Sequence, residues 1–343
     1  MAKKIWLLAI LLLLSFAITT NWQTLTATSD NSSKNWERPL IIGYSNWAGW
    51  WPWAIAESEG LFSKHGVNVE LKWYDDYTLS MEDLASGYID GNCQTLNDTI
   101  SFAVDAIKGE VVVLVNDNSA GNDKIIAAEE IGTVRDLKDK QVAVEAGVVD
   151  DFLLTLALER EGMTREDVEI IDLETGAAVE AFVSKQADAV GAFPPFWLTA
   201  LKRSGAKEIV SSEAFPGAIP DLLVVTEELV DRHPQQVQAL IDTWFDILDF
   251  MSLQPAKADR IMADRAGVSY EEFQLFKAGT KIFTIAENLE AFSEGDNMKS
   301  MPYASRKITD FLQNNLKSID KQPNLTKLFD RSFVEAYAIQ QSN

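Results

Sequence analysis

Short apolar runs alternate with amphipathic segments along the chain before Pro234. The runs "PLIIGY", "VNVELKWY" and "EVVVLVND" have the β-branched and aromatic content that is typical of strands. The segments "PWAIAESEGLFSKHG" and "TLSMEDLASG" have the apolar spacing of helices, and the first carries Pro52 in its first turn and Gly66 at its end. Strands that alternate with helices in this way predict an α/β fold.

The same rhythm starts again after "KIIAAEE", with "QVAVEAG" as a strand and "DDFLLTLALEREG" as a helix. From Pro234 onward the pattern is almost entirely helical. We therefore predict two α/β lobes, with lobe 1 formed by residues 38–128 and 226–343 and lobe 2 by residues 129–225. The helical tail is expected to pack on lobe 1.

Two strands are expected to cross between these lobes, Lys124–Ala128 and Asp221–Thr226. Ligands of open α/β sheets bind beyond the carboxyl ends of the strands, where the chain turns into loops. With two such sheets facing each other, the ligand is expected in the cleft between the lobes.

The N-terminal segment has the features of an export signal. Lys3 and Lys4 precede an apolar run, Ile5–Ile18, that is shorter than the roughly 20 residues of a spanning helix. A polar stretch without periodicity follows as far as residue 37. We therefore predict a signal peptide and flexible lead-in over residues 1–37 and a periplasmic or other extracytoplasmic location. An uncleaved membrane anchor is the alternative.

The charge and the reactive residues exclude several classes of function. The chain has 52 acidic and 30 basic residues, a net charge of -22, which opposes binding to nucleic acid. Cys93 is the only cysteine, so no intrachain disulfide forms. The two histidines, His65 and His233, stand where structural roles are expected, and no metal-spaced cluster or nucleophile motif is present. We expect no enzyme activity, no metal, no cofactor and a monomer.

Several motifs carry a family resemblance. The stretch "GYSNWAGWWPWAIAESEGLFSKHGVNVELKW", followed by "SGYIDGNCQ", resembles the periplasmic substrate-binding proteins of ABC importers for nitrate, sulfonates, taurine and pyrimidine precursors. "TVRDLKDKQVAVEAG" and "SKQADAVGAFPPF" are similar to the second lobe of that group. The resemblance covers roughly Pro39 to Ala256.

This resemblance implies a two-lobed Venus-flytrap fold of type II with a helical C-terminal tail. It also implies a small-molecule ligand, no catalysis, and a membrane permease with its ATPase as partners. Some importers of this group are linked to guanidine, which implies a possible guanidine-binding branch.

The sequence departs from the resemblance where the first helix of lobe 2 begins. Sulfonate and nitrate binders of the group generally have small hydroxyl or amide residues there, and the free N–H groups of a helix start attract anions. This chain has Asp150 and Asp151 instead. One of them is either an ordinary N-cap or part of a site that repels anions.

Acidic and aromatic residues recur at the loops that are expected to face the cleft. Acids follow the predicted strands in "WYDDY", "TLNDT", "VNDNSAGND" and "IDLETG". Four tryptophans follow the first strand; Trp53 and at least one of Trp50 and Trp51 are expected in the core. We predict ligand-binding roles for eight residues: Trp47, Trp50, Asp76, Asp98, Asp150, Glu174, Phe193 and Phe196.

Aromatic faces together with carboxylates favour a cation, and a planar guanidinium stacks and donates paired hydrogen bonds at once. The predicted ligand is a small cationic nitrogen compound, with guanidine first and a quaternary ammonium or amine next. One alternative is a sulfonate, taurine or nitrate in the same fold, although Lys124 is the only basic residue near the predicted loops. The other is an enzyme, like the pyrimidine-synthesising relatives of the fold.

Overall fold

Two mixed β-sheets, each covered by helices, organise the chain. The computed structural model describes residues 38–317, 319, 321 and 323–342. The predicted signal peptide and lead-in, residues 1–37, lie outside the described residues. No helix in the described part of the chain is both long and apolar enough to cross a membrane.

The first sheet has six strands, in the spatial order β11-β4-β10-β3-β1-β2. Strands β1, β2 and β3 are parallel, whereas β10 and β11 run antiparallel to their neighbours. The strands are β1 (Leu40–Tyr44), β2 (Val69–Trp73), β3 (Gly91–Thr95), β4 (Glu110–Ser119), β10 (Pro220–Thr226) and β11 (Thr280–Ile282).

The second sheet has five strands, in the spatial order β7-β6-β8-β5-β9. They are β5 (Lys124–Ala127), β6 (Gln141–Val144), β7 (Glu169–Asp172), β8 (Ala189–Ala192) and β9 (Lys207–Ser211). We call the halves built on the first and second sheets lobe 1 and lobe 2.

The chain passes between the lobes at different places from those expected. Strand β5 pairs over its whole length with β8 and β9, and β10 pairs with β3 and β4. The connections therefore lie between Ser119 and Lys124 and between Ser211 and Pro220, a few residues before the expected boundaries at 128 and 225. Each expected crossing strand belongs to a single sheet.

Helices cover both sheets and make up most of the tail. In lobe 1 before the first connection they are α1 (Trp53–Glu59), α2 (Leu61–Lys64), α3 (Tyr77–Ala85) and α4 (Leu96–Ala103), and in lobe 2 they are α5 (Val149–Arg160), α6 (Thr175–Val183) and α7 (Phe196–Ala200). The tail contains α8 (Glu227–Arg232), α9 (Pro234–Leu253), α10 (Pro255–Ala266), α11 (Tyr270–Ala278), α12 (Ile285–Ala291), α13 (Met301–Asp310), α14 (Leu325–Leu328) and α15 (Ser332–Gln341).

The single helix predicted from Pro52 to Gly66 is two helices. Gly60, with φ 70°, ends α1 and allows the chain to turn before α2. The sequence pattern continues across this break because both helices bury the same kind of apolar face.

The core of lobe 1 contains two of the tryptophans, as expected. Trp53 stacks on Phe62, with ring centroids 6.1 Å apart, and contacts Trp244 of α9 at 5.0 Å. Trp51 is fully buried against two phenylalanines of α11, Phe273 and Phe276. The tail therefore packs on lobe 1 through aromatic contacts. It also reaches lobe 2, where Phe311 lies 5.3 Å from Phe152.

Replacing Trp53 with alanine tests this aromatic core. We expect Trp53→Ala to lower the free energy of unfolding by about 3–5 kcal/mol, because it leaves a cavity between Phe62 and Trp244. Urea unfolding measures the loss. Tyr88→Ala, at a side chain that is 66% exposed, is the control and should cost less than about 1 kcal/mol. Equal losses in the two variants would contradict this description of the core.

Candidate functional site

A small cavity lies between the lobes. The centre of a water molecule can occupy about 20 Å³ of this cavity. This volume leaves room for a ligand of only a few atoms. Two hydrogen bonds join the lobes beside it: Thr78 Oγ1 donates to Glu145 Oε1 at 2.8 Å, and Asn97 Nδ2 donates to the Gly147 carbonyl at 2.9 Å. The lining residues are Ser45, Asn46, Trp47, Trp50, Tyr77, Thr95, Asp123, Val149, Phe193, Ile219 and Asp221.

Three aromatic rings form the lobe 1 wall of the cavity. The loop after β1 turns tightly, with Trp50 N donating to the Trp47 carbonyl at 3.0 Å, and this turn brings both indoles to the cleft. The ring centroids of Trp47 and Trp50 are 6.3 Å apart, and those of Trp50 and Tyr77 are 5.4 Å apart. Trp50 Nε1 is buried without a hydrogen-bond partner.

Five aspartates form what we call the acidic cluster: Asp98, Asp117, Asp123, Asp150 and Asp221. Each of them is at most 1% exposed. Asp123 and Asp221 line the cavity itself, and the other three lie behind its wall. All except Asp98 have one carboxylate oxygen that is buried without a hydrogen-bond partner. Such atoms are costly to bury, so their number marks this region as a site for a hydrogen-bond donor.

The strands place two members of the cluster side by side. Asp117 on β4 and Asp221 on β10 are directly paired in the antiparallel ladder. Asp117 Oδ1 also accepts a hydrogen bond from Trp47 Nε1 at 2.9 Å. This bond fixes one indole of the aromatic wall to the sheet.

Asp98 is the best-satisfied member of the cluster. It lies in the first turn of α4 and accepts hydrogen bonds from Thr95 Oγ1 at 2.8 Å, Asn97 Nδ2 at 2.9 Å and Tyr77 OH at 2.9 Å. Through the last of these bonds it positions a ring that lines the cavity.

The two aspartates at the start of α5 have different roles. The N-cap of this helix is Val148, which offers no side-chain cap. Asp151 accepts a hydrogen bond from Gly147 N at 2.9 Å and pairs with Arg165. Asp150 accepts only one long hydrogen bond, from Thr175 Oγ1 at 3.4 Å. It packs closely on Gly191, where an added Cβ would lie 2.9 Å from the Asp150 Cβ. The N-cap alternative for these residues is therefore wrong, and Asp150 belongs to the acidic cluster.

Burial raises the pKa of every carboxyl group in the cluster. It raises the pKa of Asp98 to about 6 and those of Asp117 and Asp123 to about 7. Burial and the repulsion of neighbouring carboxylates hold the pKa of Asp150 and of Asp221 well above the ordinary value. The groups raise one another's pKa because they share one low-dielectric region.

Lys124 lowers the pKa of its neighbour Asp123 through its charge, but it forms no ion pair with the cluster. Among the residues that the structure describes, no Lys or Arg forms an ion pair with any member of the acidic cluster. Lys124, the basic residue expected near the cleft, pairs with Glu208 at 2.5 Å and lies over the Trp197 ring. Arg165 is engaged by Asp151. The described residues also contain no group of three or more His, Cys, Asp or Glu that could hold a metal ion.

The structure brings together most of the predicted site residues. Trp47, Trp50 and Phe193 line the cavity, whereas Phe196 packs edge-on against Phe193, with ring centroids 5.4 Å apart, and does not line it. Asp98 and Asp150 belong to the acidic cluster.

Two predicted residues lie elsewhere. Asp76 and Glu174 are exposed N-caps that accept hydrogen bonds from Leu79 N at 3.2 Å and Ala177 N at 3.1 Å. Both follow strands, as Asp98 and Asp150 do, but their oxygens accept hydrogen bonds at the starts of α3 and α6.

The prediction of eight site residues left out Tyr77 and three members of the cluster. Asp117 at the end of β4 and Asp123 just after it occur in the stretch "VNDNSAGND", among other polar residues that look equally suitable. Asp221 had a clearer signal, because it is a lone acid within the apolar run "PDLLVVT". A carboxylate in a buried strand needs a special explanation.

A model of the NMT1-like family matches residues 33–266. The chain belongs to the NMT1-like family. A protein of Brucella abortus (strain 2308), named as a binding protein without a ligand, is 28% identical over 262 residues, which are 75% of this chain and 81% of that protein. The taurine-binding periplasmic protein of Escherichia coli (strain K12) is 24% identical over 57% of this chain and 61% of its own length.

Solved structures confirm the predicted two-lobed fold of the periplasmic binding proteins. The periplasmic aliphatic sulphonate binding protein of Escherichia coli superposes with a TM-score of 0.69 at 19% identity, over 85% of this chain and 92% of that one. A desulfurization enzyme has a TM-score of 0.61 at 14% identity, over 88% and 99% of the two chains. The two relatives are binding proteins and this neighbour is an enzyme, so the fold alone does not distinguish the two functions.

Gly49 offers a test of how the aromatic loop approaches the cluster. A Cβ at this position would overlap the Asp117 carboxyl group. We expect Gly49→Ala to lower the free energy of unfolding by about 1–3 kcal/mol, as measured by urea unfolding. In an Asp117→Ala background the carboxyl group is absent, and the same change should cost much less. An equal cost in both backgrounds would show that the two residues are not in contact.

The raised pKa values predict an unusual pH dependence of stability. The ordinary pKa of an aspartate is about 3.9, so between about pH 4 and 7 the native protein binds more protons than the unfolded chain. The free energy of unfolding of the ligand-free protein should therefore fall as the pH rises from about 5 to 8. Urea unfolding at a series of pH values measures this slope.

The matched variants locate the effect. Asp117→Asn removes one of the buried ionisations and should make the slope shallower, whereas Asp76→Asn, at an exposed cap, should leave it unchanged. A free energy of unfolding that is constant or rises over this range would contradict the protonation of the cluster.

Proposed function

We propose that the protein is the extracytoplasmic solute-binding component of an ABC importer and that it captures a small cationic nitrogen compound, guanidinium first, between its lobes. The observation that carries this proposal is the acidic cluster, buried beside an aromatic cavity without a basic partner. A membrane permease with its ATPase would receive the closed, ligand-bound form.

The charge of the ligand follows from the cost of the cluster. Each buried, ionised carboxylate costs several kcal/mol unless an opposite charge compensates it. A bound cation supplies that charge, and the unpartnered oxygens of Asp123 and Asp221 supply acceptors on the cavity side. An anion at the same place would increase the repulsion.

The shape of the ligand follows from the walls. The faces of Trp47, Trp50 and Tyr77 attract cations, and each ring contributes roughly 0.5–2 kcal/mol. Guanidinium is planar and carries N–H donors around its rim, so it can stack on a ring and bond to carboxylates at the same time. The small volume of the cavity favours an unsubstituted ion of this size over a long-chain amine.

Family and fold support the importer half of the proposal. The chain belongs to the NMT1-like family, and its relative from Escherichia coli is periplasmic and binds taurine. The described cleft differs from what taurine, other sulfonates or nitrate require, because no Lys or Arg lines the cavity. We therefore retain the transport role and propose a ligand of opposite charge, with no catalysis.

Titration calorimetry with guanidinium, taurine and nitrate tests the ligand. We expect binding of guanidinium alone, with an affinity that rises from about pH 6 to 8 because the cluster must ionise. For each proton that the protein releases on binding, the affinity rises about tenfold when the pH is raised by one unit. Calcium and potassium chlorides and methylamine serve as cation controls. Heat with taurine or nitrate and none with guanidinium would overturn the proposal, and turnover of a bound compound would point to an enzyme.

Matched variants test the site. Asp221→Asn and Trp50→Ala should weaken guanidinium binding at least about tenfold, since each removes a charged acceptor or a ring face. Asp76→Asn and Glu174→Gln change carboxylates at exposed helix caps and should bind as the wild type does. If all four variants behave alike in the calorimeter, the ligand does not occupy this cavity.

A further inference from the structure

A second and larger cavity lies behind the connections between the lobes. Its volume is about 240 Å³, against about 20 Å³ for the interlobe cavity on the same measure. It is lined by the end of β4, by the second connection around Ser212 and by tail residues between Lys281 and Lys299. We call it the hinge cavity. It contains none of the residues of the acidic cluster.

The buried wall of the hinge cavity offers an unused hydrogen-bond acceptor. Asn118 is 5% exposed; its Nδ2 donates to the Ser119 carbonyl at 2.5 Å, while its Oδ1 is buried without a partner. Beside it the hydroxyl groups of Ser119 and Ser212, both 1% exposed, lie 2.6 Å apart. A buried acceptor of this kind is stabilised when a ligand donates to it.

The rim of the hinge cavity carries charges of both signs. Lys281 pairs with Glu287 at 2.7 Å. Lys299 then provides a positive charge, and Glu213 and Glu290 provide negative charges, all on exposed side chains. A ligand with one charge is repelled by part of this rim, whereas a zwitterion can satisfy both parts.

We propose that the hinge cavity is a second binding site, for a zwitterionic molecule of amino-acid size. Its ammonium group donates to Asn118 Oδ1 and faces Glu213 and Glu290, and its carboxylate faces Lys299. Apolar atoms of the ligand contact Phe283, which also lines the cavity.

The same hydroxyl pair connects this site to the interlobe cavity. Ser119 Oγ accepts a hydrogen bond from Asp123 N at 3.3 Å and bonds to the Asp123 carboxylate, which lines the interlobe cavity. Ser212 Oγ accepts from Gly121 N at 2.8 Å, within the first connection. Ser119 and Ser212 both line the hinge cavity, so a ligand there lies against this hydroxyl pair. We therefore expect it to stabilise one hinge geometry and to change the affinity for guanidinium about fivefold or more.

Thermal unfolding with each of the twenty common L-amino acids, one at a time and at millimolar concentration, tests the site. At least one of them should raise the Tm of the wild-type protein. Glu290→Trp, which places a ring over the cavity, and Lys299→Glu, which reverses a rim charge, should both remove the shift. Lys202→Glu makes the same charge change at an exposed position outside the hinge cavity and should retain it.

Asp221→Asn separates this inference from the proposed function. This variant is expected to weaken guanidinium binding at least about tenfold and to keep the amino-acid shift. Retention of the amino-acid shift supports the hinge site even if guanidinium proves not to be the ligand. The hinge site is overturned if no amino acid shifts the Tm of the wild-type protein. It is also overturned if the shift survives in both Glu290→Trp and Lys299→Glu, or if Asp221→Asn abolishes it.

Discussion

The chemistry of the candidate site depends on the burial of like charges in one small region between two sheets. Carboxylates of Asp98, Asp117, Asp123, Asp150 and Asp221 share a low-dielectric space, and no described basic side chain forms an ion pair with them. Water screens surface charges well, but buried charges interact strongly over the same distances. The raised pKa values favour protons on some of these groups in the ligand-free protein. Under the proposed function, a positively charged ligand would replace those protons and relieve the same repulsion.

The backbone makes this concentration of charge possible. Adjacent antiparallel strands bring Asp117 and Asp221 together, and glycines at positions 49 and 191 give the carboxyl groups of Asp117 and Asp150 room that any larger residue would occupy. Helix starts supply Asp98 and Asp150, near the positive ends of the α4 and α5 dipoles, which favours negative charge. The site is therefore assembled from both sheets, and neither lobe forms it alone.

The sequence pattern predicted the two sheets, the helical tail and a core role for Trp53 and at least one of Trp50 and Trp51, because these depend on local apolar spacing. It also predicted that Trp47 and Trp50 reach the cleft. It placed the connections a few residues late, since a run such as "KIIA" identifies a strand without identifying the neighbours with which it pairs. Asp76, Asp98 and Glu174 were selected because they follow predicted strands, and Asp150 because it stands at a predicted helix start. In the structure all four lie at helix starts. Capping and ligand binding require the same residue type there, and only the three-dimensional arrangement separates them.

The contact between Phe311 of the tail and Phe152 of lobe 2 has a mechanical consequence. In the described residues the two connections join the lobes covalently, and this aromatic pair adds a packing contact from the tail to lobe 2. Any change in the angle between the lobes therefore also has to change the packing of the tail against lobe 2.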